Sequence, residues 1–526
     1  MNLISRLVKV AVILGLGLSG FVAGASATRP NVILIMCDDM GFSDIGCYGG
    51  EIQTPYLDQL AAEGMRFTQF YNNAKCTTTR ASLLTGLWPR FGSPGHLRPN
   101  MMTLGEAMQR AGYQTSLSGK WHLLRSESAQ KKVTGSWAEA YDRMTHPYFR
   151  GFERFYGLLD GCCNFFNPLQ PDPSYKGGRI RNFGENDAVV RSFPRDYYTT
   201  DAFTDHAIAS IGEFAKSEAP FFLHITYTAP HYPLHAKPEE IARYRGRYRS
   251  GWEALREARW ERLRQLGLTS DQWALSEGDR RAYAWSEANH DFEDHRMAVY
   301  AAMIDRMDQN IGRLREALEA AGEADNTLIL FLSDNGGCAE EPGGRDPTIR
   351  VPGPGRDYVA VGPSWGWAQN APFRRYKSWL YEGGITTPLI AWWPGRVPAG
   401  SINRSVAHII DFLPTFLELA ESDYPASYRG RRLLPVEGTS MMTLLRGGGG
   451  APERTLAWFW SRNRALRKGD WKLVWEKGRQ QWELYHMKQD RCELNDLAAD
   501  HPERVTAMAS DYFDWAEAVG LTIKPL

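Results

Sequence analysis

The residues Cys76-Thr77-Thr78-Thr79-Arg80-Ala81-Ser82-Leu83-Leu84-Thr85-Gly86 form the stretch with the clearest chemical potential. Hydroxyl side chains near its start and a glycine at its end predict a short helix. A cysteine at a helix start meets unpaired backbone N–H groups and the positive end of the helix dipole, with Arg80 one turn on. The stretch reads as an activated thiol or an anion-binding helix start; a buried structural cysteine is the plain alternative. Two oxygen-rich pairs follow the same logic. Asp38-Asp39 closes the apolar run 31–37, and Asp334-Asn335 closes the run 326–333. Neighbouring carboxylates repel unless water or a cation intervenes. Asp38, Asp39, Asp334 and Asn335 offer only hard oxygen atoms, which suits Ca²⁺ or Mg²⁺ rather than a thiol-seeking metal. Lys120 and His122 stand two residues apart in a segment read as extended, where alternation places both on one side facing one anion. His231 lies between Pro230 and Pro233, in a chain whose φ angles are largely fixed. His224, inside an apolar run, reads as a core histidine, and His235 as peripheral.

These residues need a frame. Residues 31–37, 221–227 and 326–333 are continuous apolar runs of strand length, as expected for strands covered on both faces. Polar residues at the ends of such strands occupy the place where open α/β sheets bind ligands. Helices are expected at 55–63, with Thr54 as cap and Pro55 in the first turn, at 103–109 with Thr103 as cap, at 198–215 and at 299–320. The arginine stripe of 251–259 has helical period and reads as a solvated helix face. Residues 124–200 are polar and irregular, and 343–373 are rich in glycine, proline and tryptophan; both read as loops over the active face. Past residue 420 the pattern changes to short alternating strands and a last helix at 502–519. The fold class is therefore α/β: a large, mostly parallel or mixed sheet flanked by helices, with a smaller C-terminal α+β subdomain containing an antiparallel sheet. The expected division is a signal peptide at 1–27, a catalytic domain at 28–420 and the subdomain at 421–526.

Composition narrows the function. The 526 residues contain 61 Lys plus Arg against 61 Asp plus Glu, and this balance argues against a nucleic-acid binder that works by charge neutralisation. Eighteen tryptophans and 23 tyrosines suit a cleft for sugars or aryl groups, though a large core accounts for them as well. Arg6 and Lys9, an apolar run at 10–23 and Ala25-Ser26-Ala27 have the form of a secretory signal. No later run is long and apolar enough to span a bilayer, so an exported protein, periplasmic or extracellular, is expected, with no stable membrane span after signal removal. Seven cysteines are too sparse for a disulfide scaffold and lack zinc-site spacing.

Cys-x-x-x-Arg followed by Leu-Thr-Gly resembles the signature of the type I sulfatases, the arylsulfatase-A-like branch of the alkaline-phosphatase-like superfamily. The matches continue in order through Gly119-Lys120-Trp121-His122, Ala229-Pro230-His231-Tyr232-Pro233-Leu234, Asp334-Asn335-Gly336 and Lys377 with Glu382-Gly383-Gly384 downstream. The chain departs at Thr78, where the family has proline. The resemblance implies conversion of Cys76 to Cα-formylglycine by a formylglycine-generating maturase. It favours calcium over magnesium as cofactor, near Asp38, Asp39, Asp334, Asn335 and the residue-76 side chain. It implies hydrolysis of an aryl sulfate or a sulfated saccharide through a covalent sulfoenzyme intermediate. Arg80, Lys120 and Lys377 would hold the sulfate, Asp334 would help activate the nucleophile, His231 would protonate the leaving group, and His122 would assist sulfate expulsion. A phosphate or phosphonate monoester hydrolase of the same superfamily, and a non-catalytic carbohydrate-binding protein, are the alternatives.

Overall fold

The computed structural model describes residues 29–91, 96–124, 143–279, 281–342, 344, 346, 348–449 and 453–523. The expected signal at 1–27 lies outside them. The frame starts with β1 (Asn31–Asp38), every residue of which is buried. Its side chains alternate between two cores. Ile33, Ile35 and Cys37 face one, and Val32, Leu34 and Met36 face the other, so a continuous apolar run is what a strand covered on both faces requires.

In chain order the further strands are β2 (Met65–Phe67), β3 (Phe70–Tyr71), β4 (Gln114–Gly119), β5 (Arg154–Leu158), β6 (Phe183–Glu185), β7 (Ala188–Val189), β8 (Phe221–Pro230) and β9 (Thr327–Ser333). Then come β10 (Leu389–Trp392), β11 (Ser401–Asn403), β12 (Ala407–His408), β13 (Ser427–Tyr428) and β14 (Arg431–Arg432). Ten of these make one mixed sheet in the order β11-β2-β10-β9-β1-β8-β4-β5-β6-β7. Its centre, β9-β1-β8-β4, is parallel throughout, whereas β10 runs antiparallel to β9. Four neighbouring strands thus end on one edge.

Helices cover both faces. On one lie α1 (Pro55–Glu63), the helix Thr199–Phe214 and the 31-residue helix His290–Ala320, which supply Leu57, Phe203, Met303 and their neighbours to the first core. On the other lie α2 (Cys76–Thr85), α3 (Leu104–Arg110) and the helix Phe412–Leu419. Thr103 caps α3 in a full capping box with Glu106. Thr54 precedes α1 as expected but makes no cap bond. Its hydroxyl is used by Gly46 and Asp58, and the free N–H groups of Tyr56 and Leu57 instead donate to the Asp308 carboxylate at 3.1 and 2.8 Å.

Beyond these comes a four-stranded antiparallel sheet of β15 (Thr455–Trp460), β16 (Asn463–Lys468), β17 (Trp471–Trp475) and β18 (Trp482–His486). One face packs on the last helix, Pro502–Ala518, through Leu466, Leu473, Leu484 and Tyr512. The other joins the second core through Leu456, Trp458, Ala465 and Val474.

Four expectations are corrected. The helix Gly251–Gln265 exists, but its arginines are not a solvated face: Arg256 and Arg259 are wholly buried. Arg259 reaches Asp44 at 2.6 Å and Glu51 at 2.8 Å, and each paired head group removes the penalty that would have kept it in water. His235 is also buried rather than peripheral, held by the Asp357 carbonyl at 2.8 Å. The stretch 343–373 contains the helix Gly362–Gln369. All eight residues are buried, so no polar face exists to give a period. Residues 124–200 are less irregular than expected, because β5, β6 and β7 extend the sheet edge. His224 is a core histidine, as read, bonded to the Leu34 carbonyl at 3.1 Å.

Candidate active site

The site forms where β1, β8, β9 and β4 end. Asp38 is the last residue of β1, His231 follows β8, Asp334 follows β9 and Lys120 follows β4. Ligands meet open α/β sheets at this carboxyl edge. Asp39 leaves β1 with φ +68°, a left-handed turn that Asp tolerates better than most residues. The turn is braced from below. The Asp44 carboxylate accepts Gly41 N–H at 2.8 Å and Tyr300 O–H at 2.7 Å, and is neutralised by Arg259.

Residue 76 enters from the opposite face. Cys76 is the first residue of α2, so it sits among the free N–H groups of a helix start. Gly86 closes the helix with φ +64°. The Thr78 hydroxyl donates to the carbonyls of Lys75 at 2.9 Å and Asn73 at 3.2 Å, tying the first turn to the chain before it. The Cys76 sulfur and one carboxylate oxygen each of Asp38 and Asp334 lie within 4.8 Å of one another, as do ligand atoms of Asp38, Asp39 and His231.

Three buried cations balance three buried aspartates. Arg80 donates to Asp334 through Nε at 3.1 Å and Nη2 at 2.9 Å, and to the Lys120 carbonyl at 2.8 Å. Lys120 Nζ reaches Asp38 Oδ2 at 2.5 Å, and Lys377 Nζ reaches Asp39 Oδ2 at 2.7 Å. Asn335 Nδ2 donates to Asp39 Oδ1 at 2.7 Å. Burial pushes the Asp38 carboxyl up to about 8; Lys120 draws it down and Asp334 adds repulsion. Asp39 lies below its usual value because Lys377 and Lys120 outweigh its burial.

The donor set fits a hard divalent cation. Asp38 Oδ1 and Asn335 Oδ1 are buried oxygens without a hydrogen-bond partner, and buried acceptors are rarely left so. With Asp39 and Asp334 they offer four oxygen donors, the hard set that suits such a cation.

The histidines complete the cleft. His231 Nδ1 lies 2.6 Å from the Tyr232 carbonyl, which makes Nδ1 the donor and leaves Nε2 for the cleft, 3.4 Å from Asp39 Oδ2. His122 does not alternate with Lys120 on a strand. β4 ends at Gly119, and His122 adopts φ +60°. It nonetheless lines the same cavity of about 410 Å³ as Cys76, His231 and Lys377. Burial, then the charges of Lys120 and Arg80, push its imidazole well below the usual histidine range. All ten sequence-designated residues converge.

Several neighbours escaped the sequence reading. Glu340 pairs with Lys75 at 3.0 Å and stands 3.7 Å from Lys377; burial raises its carboxyl, but the two lysines more than offset this and hold it at about 2. A Cβ on Gly161 would stand 2.4 Å from His122 Nε2, so only glycine admits the ring there. Lys176 and Tyr232 line the wall. None of these shows a pattern in one sequence, except Tyr232, whose place beside His231 was visible.

A family model described as Sulfatase matches residues 30–422, and one described as N-sulphoglucosamine sulphohydrolase, C-terminal, matches 373–511. An uncharacterised sulfatase of Schizosaccharomyces pombe is 31% identical over 95% of this chain and 96% of its own. An arylsulfatase of Klebsiella aerogenes is 32% identical over 81% of this chain and 94% of its own. Among solved structures, Ps i-CgsB in complex with k-i-k-neocarrahexaose is 25% identical, with a TM-score of 0.67 over 93% of each chain. With the fold, the site and these matches in agreement, the chain belongs to the sulfatase family.

Proposed function

We propose that the protein hydrolyses sulfate monoesters in this cleft, with Cys76 matured to Cα-formylglycine and Ca²⁺ held by Asp38, Asp39, Asp334 and Asn335. The observation that supports this most is the residue-76 side chain beside Asp38 and Asp334 at the base of the cleft, with Arg80, Lys120 and Lys377 around it. When formed, the hydrated aldehyde supplies a hydroxyl nucleophile with a second hydroxyl for release, and calcium supplies positive charge for the sulfate oxygens.

The chain's own residues do the rest. Arg80, Lys120 and Lys377 are preorganised charges held in place by buried partners, so they can meet sulfate oxygens without reorganising. Asp334, close to residue 76, accepts a proton from its hydroxyl as attack begins. Cleavage of the ester bond places negative charge on the leaving oxygen. His231 presents Nε2 to that oxygen, its other nitrogen being fixed by the Tyr232 carbonyl. Burial, Lys377 and Lys120 keep the free imidazole neutral. It must therefore first take up a proton at Nε2, as the bound sulfate's negative charge favours, and then delivers that proton to the leaving oxygen. His122, kept neutral by burial and by its cationic neighbours, takes the proton that must leave before sulfate is expelled.

The arylsulfatase relative and the oligosaccharide-bound neighbour support aryl sulfates and sulfated saccharides as substrates. The reading includes export to the periplasm or extracellular space and a formylglycine-generating maturase as a partner during biosynthesis. Among the described residues no helix is long and apolar enough to cross a membrane. The test is turnover of 4-nitrophenyl sulfate against 4-nitrophenyl phosphate by matured, calcium-loaded protein. Sulfate preferred over phosphate is expected, and the reverse preference would contradict it.

A further inference from the structure

Asp160, Gly161, Cys162, Lys176, Arg179 and Arg181 line part of the cleft, which is more cationic than one sulfate requires. Lys75, Lys176, Arg179, Arg181 and Lys377 line the cavity. Four of them have fixed carboxylate partners: Glu340 for Lys75 and Lys377, Asp160 for Arg179, and the buried Asp172 for Arg181. Lys176, among the described residues, has no ion pair. Its ammonium lies instead over the Tyr232 ring at 4.2 Å and near the Tyr358 ring at 5.6 Å. The Tyr232 ring in turn packs against the His231 ring, with centroids 4.3 Å apart. The ammonium is therefore held one ring away from the group that faces the leaving oxygen.

Two aromatic faces fix a lysine without neutralising it. A half-buried ammonium loses part of its hydration, and an anion would restore that loss. The reacting sulfate already has its own cations in Arg80, Lys120 and Lys377. The position suits something attached to the leaving group. Tyr175, the residue before Lys176, is 43% exposed and bonded through its hydroxyl to the Tyr358 carbonyl at 3.0 Å.

We propose that Lys176 is a specificity-determining residue that binds a second anionic group, a carboxylate or another sulfate, on the leaving-group side of the substrate. The proposal rests on the sulfatase reading and narrows its substrate class to sulfate monoesters whose alcohol part is itself anionic. Lys176 touches substrate through charge and a hydrogen bond and takes no part in proton transfer. Arg179 and Arg181, already paired, shape the wall.

The test compares kcat/KM on 3- and 4-carboxyphenyl sulfate, the matching carbamoylphenyl sulfates and 1,3-phenylene disulfate. Carboxylate and carboxamide have nearly the same shape, so their ratio isolates charge, and the disulfate separates the two anion sources. Wild-type protein should prefer at least one anionic compound over its neutral partner by about 10-fold or more, the size expected of one charge-assisted hydrogen bond. In Lys176→Met the preference should fall to within about 2-fold, chiefly through a raised KM for the charged compounds; Lys176→Arg should keep most of it. No preference in the wild type, or an equal loss on charged and neutral compounds in Lys176→Met, would overturn the assignment. Turnover of none of these esters by matured, calcium-loaded protein would instead overturn the sulfatase reading beneath it.

Discussion

At the scale of single residues, the site depends on side chains kept in unusual states by their neighbours. His122 is the clearest case. Burial comes first and the charges of Lys120 and Arg80 follow, all disfavouring the imidazolium. A depressed value means the neutral base persists as pH falls, so the acid limb attributable to His122 should lie below the ordinary histidine value of 6.5. A kcat profile on an aryl sulfate with a good leaving group, where sulfate release limits turnover, checks this, and an acid limb centred above 6.5 would contradict it. His122→Ala should leave the first phenol release largely intact and slow sulfate release, giving a stoichiometric phenol burst in rapid-mixing experiments. Gly161→Ala should lower kcat by about 10- to 100-fold, because a displaced base costs that much and its Cβ would meet His122 Nε2 at 2.4 Å. The placement of Cys76, Arg80 and His231 in one cleft was readable because each sits in a motif of several residues. Gly161, Glu340 and Lys176 were not, because each acts through a partner distant in sequence.

At the scale of elements, the parallel strands were visible as apolar runs, and the polar residues just beyond them named the site edge in advance. The weaker readings failed where burial was total. The helix Gly362–Gln369 and the buried arginines of Gly251–Gln265 lack the polar face from which a period or a solvated stripe is recognised. A second buried element contact was also invisible. Lys472 on β17 bonds Glu382 at 2.9 Å and Glu493 at 2.7 Å, while Arg491 reaches Glu382 at 2.8 Å. This cluster locks the C-terminal sheet to the turn that follows Lys377. Burial raises the Glu382 carboxyl, but Lys472, Arg491 and Arg467 outweigh it and hold it at about 2, against an ordinary 4.5. The stability it contributes is present above pH 4.5 and is lost as pH falls toward 2. Lys472→Met leaves two buried carboxylates facing each other and should cost about 3–5 kcal/mol near neutral pH. Glu493, which burial already raises to about 7, then rises further, so the deficit should shrink as pH falls from 7.5 to 5. Urea midpoints of variant and parent at the two pH values measure this; a deficit that grows on acidification would contradict it.

At the scale of the whole molecule, one sheet edge gathers groups that lie up to 339 residues apart in the chain, from Asp38 to Lys377. The α/β class, the helix-covered mixed sheet and the C-terminal antiparallel sheet were readable from period and run length. Packing between them was not, because both cores draw on the length of the chain. Thr78, the departure from the family motif, illustrates the limit. Its hydroxyl bonds two carbonyls before the helix, a role no sequence pattern announces. Thr78→Pro should keep the fold, since the early N–H groups of α2 need no intrahelical partner, at a cost of about 1–3 kcal/mol for the two lost bonds. Per-site activity should stay within a few-fold.

The central claim is that turnover belongs to a modified residue 76, and it is tested most directly by measuring two quantities on the same preparations. Peptide mass spectrometry gives the fraction of Cys76 converted to formylglycine, and sulfate release from 4-nitrophenyl sulfate gives the rate. Across preparations made with and without a maturase, and with Cys76→Ala as the zero point, the rate should rise in proportion to the converted fraction and vanish with it. Full turnover by protein whose residue 76 remains an unmodified thiol would contradict the account.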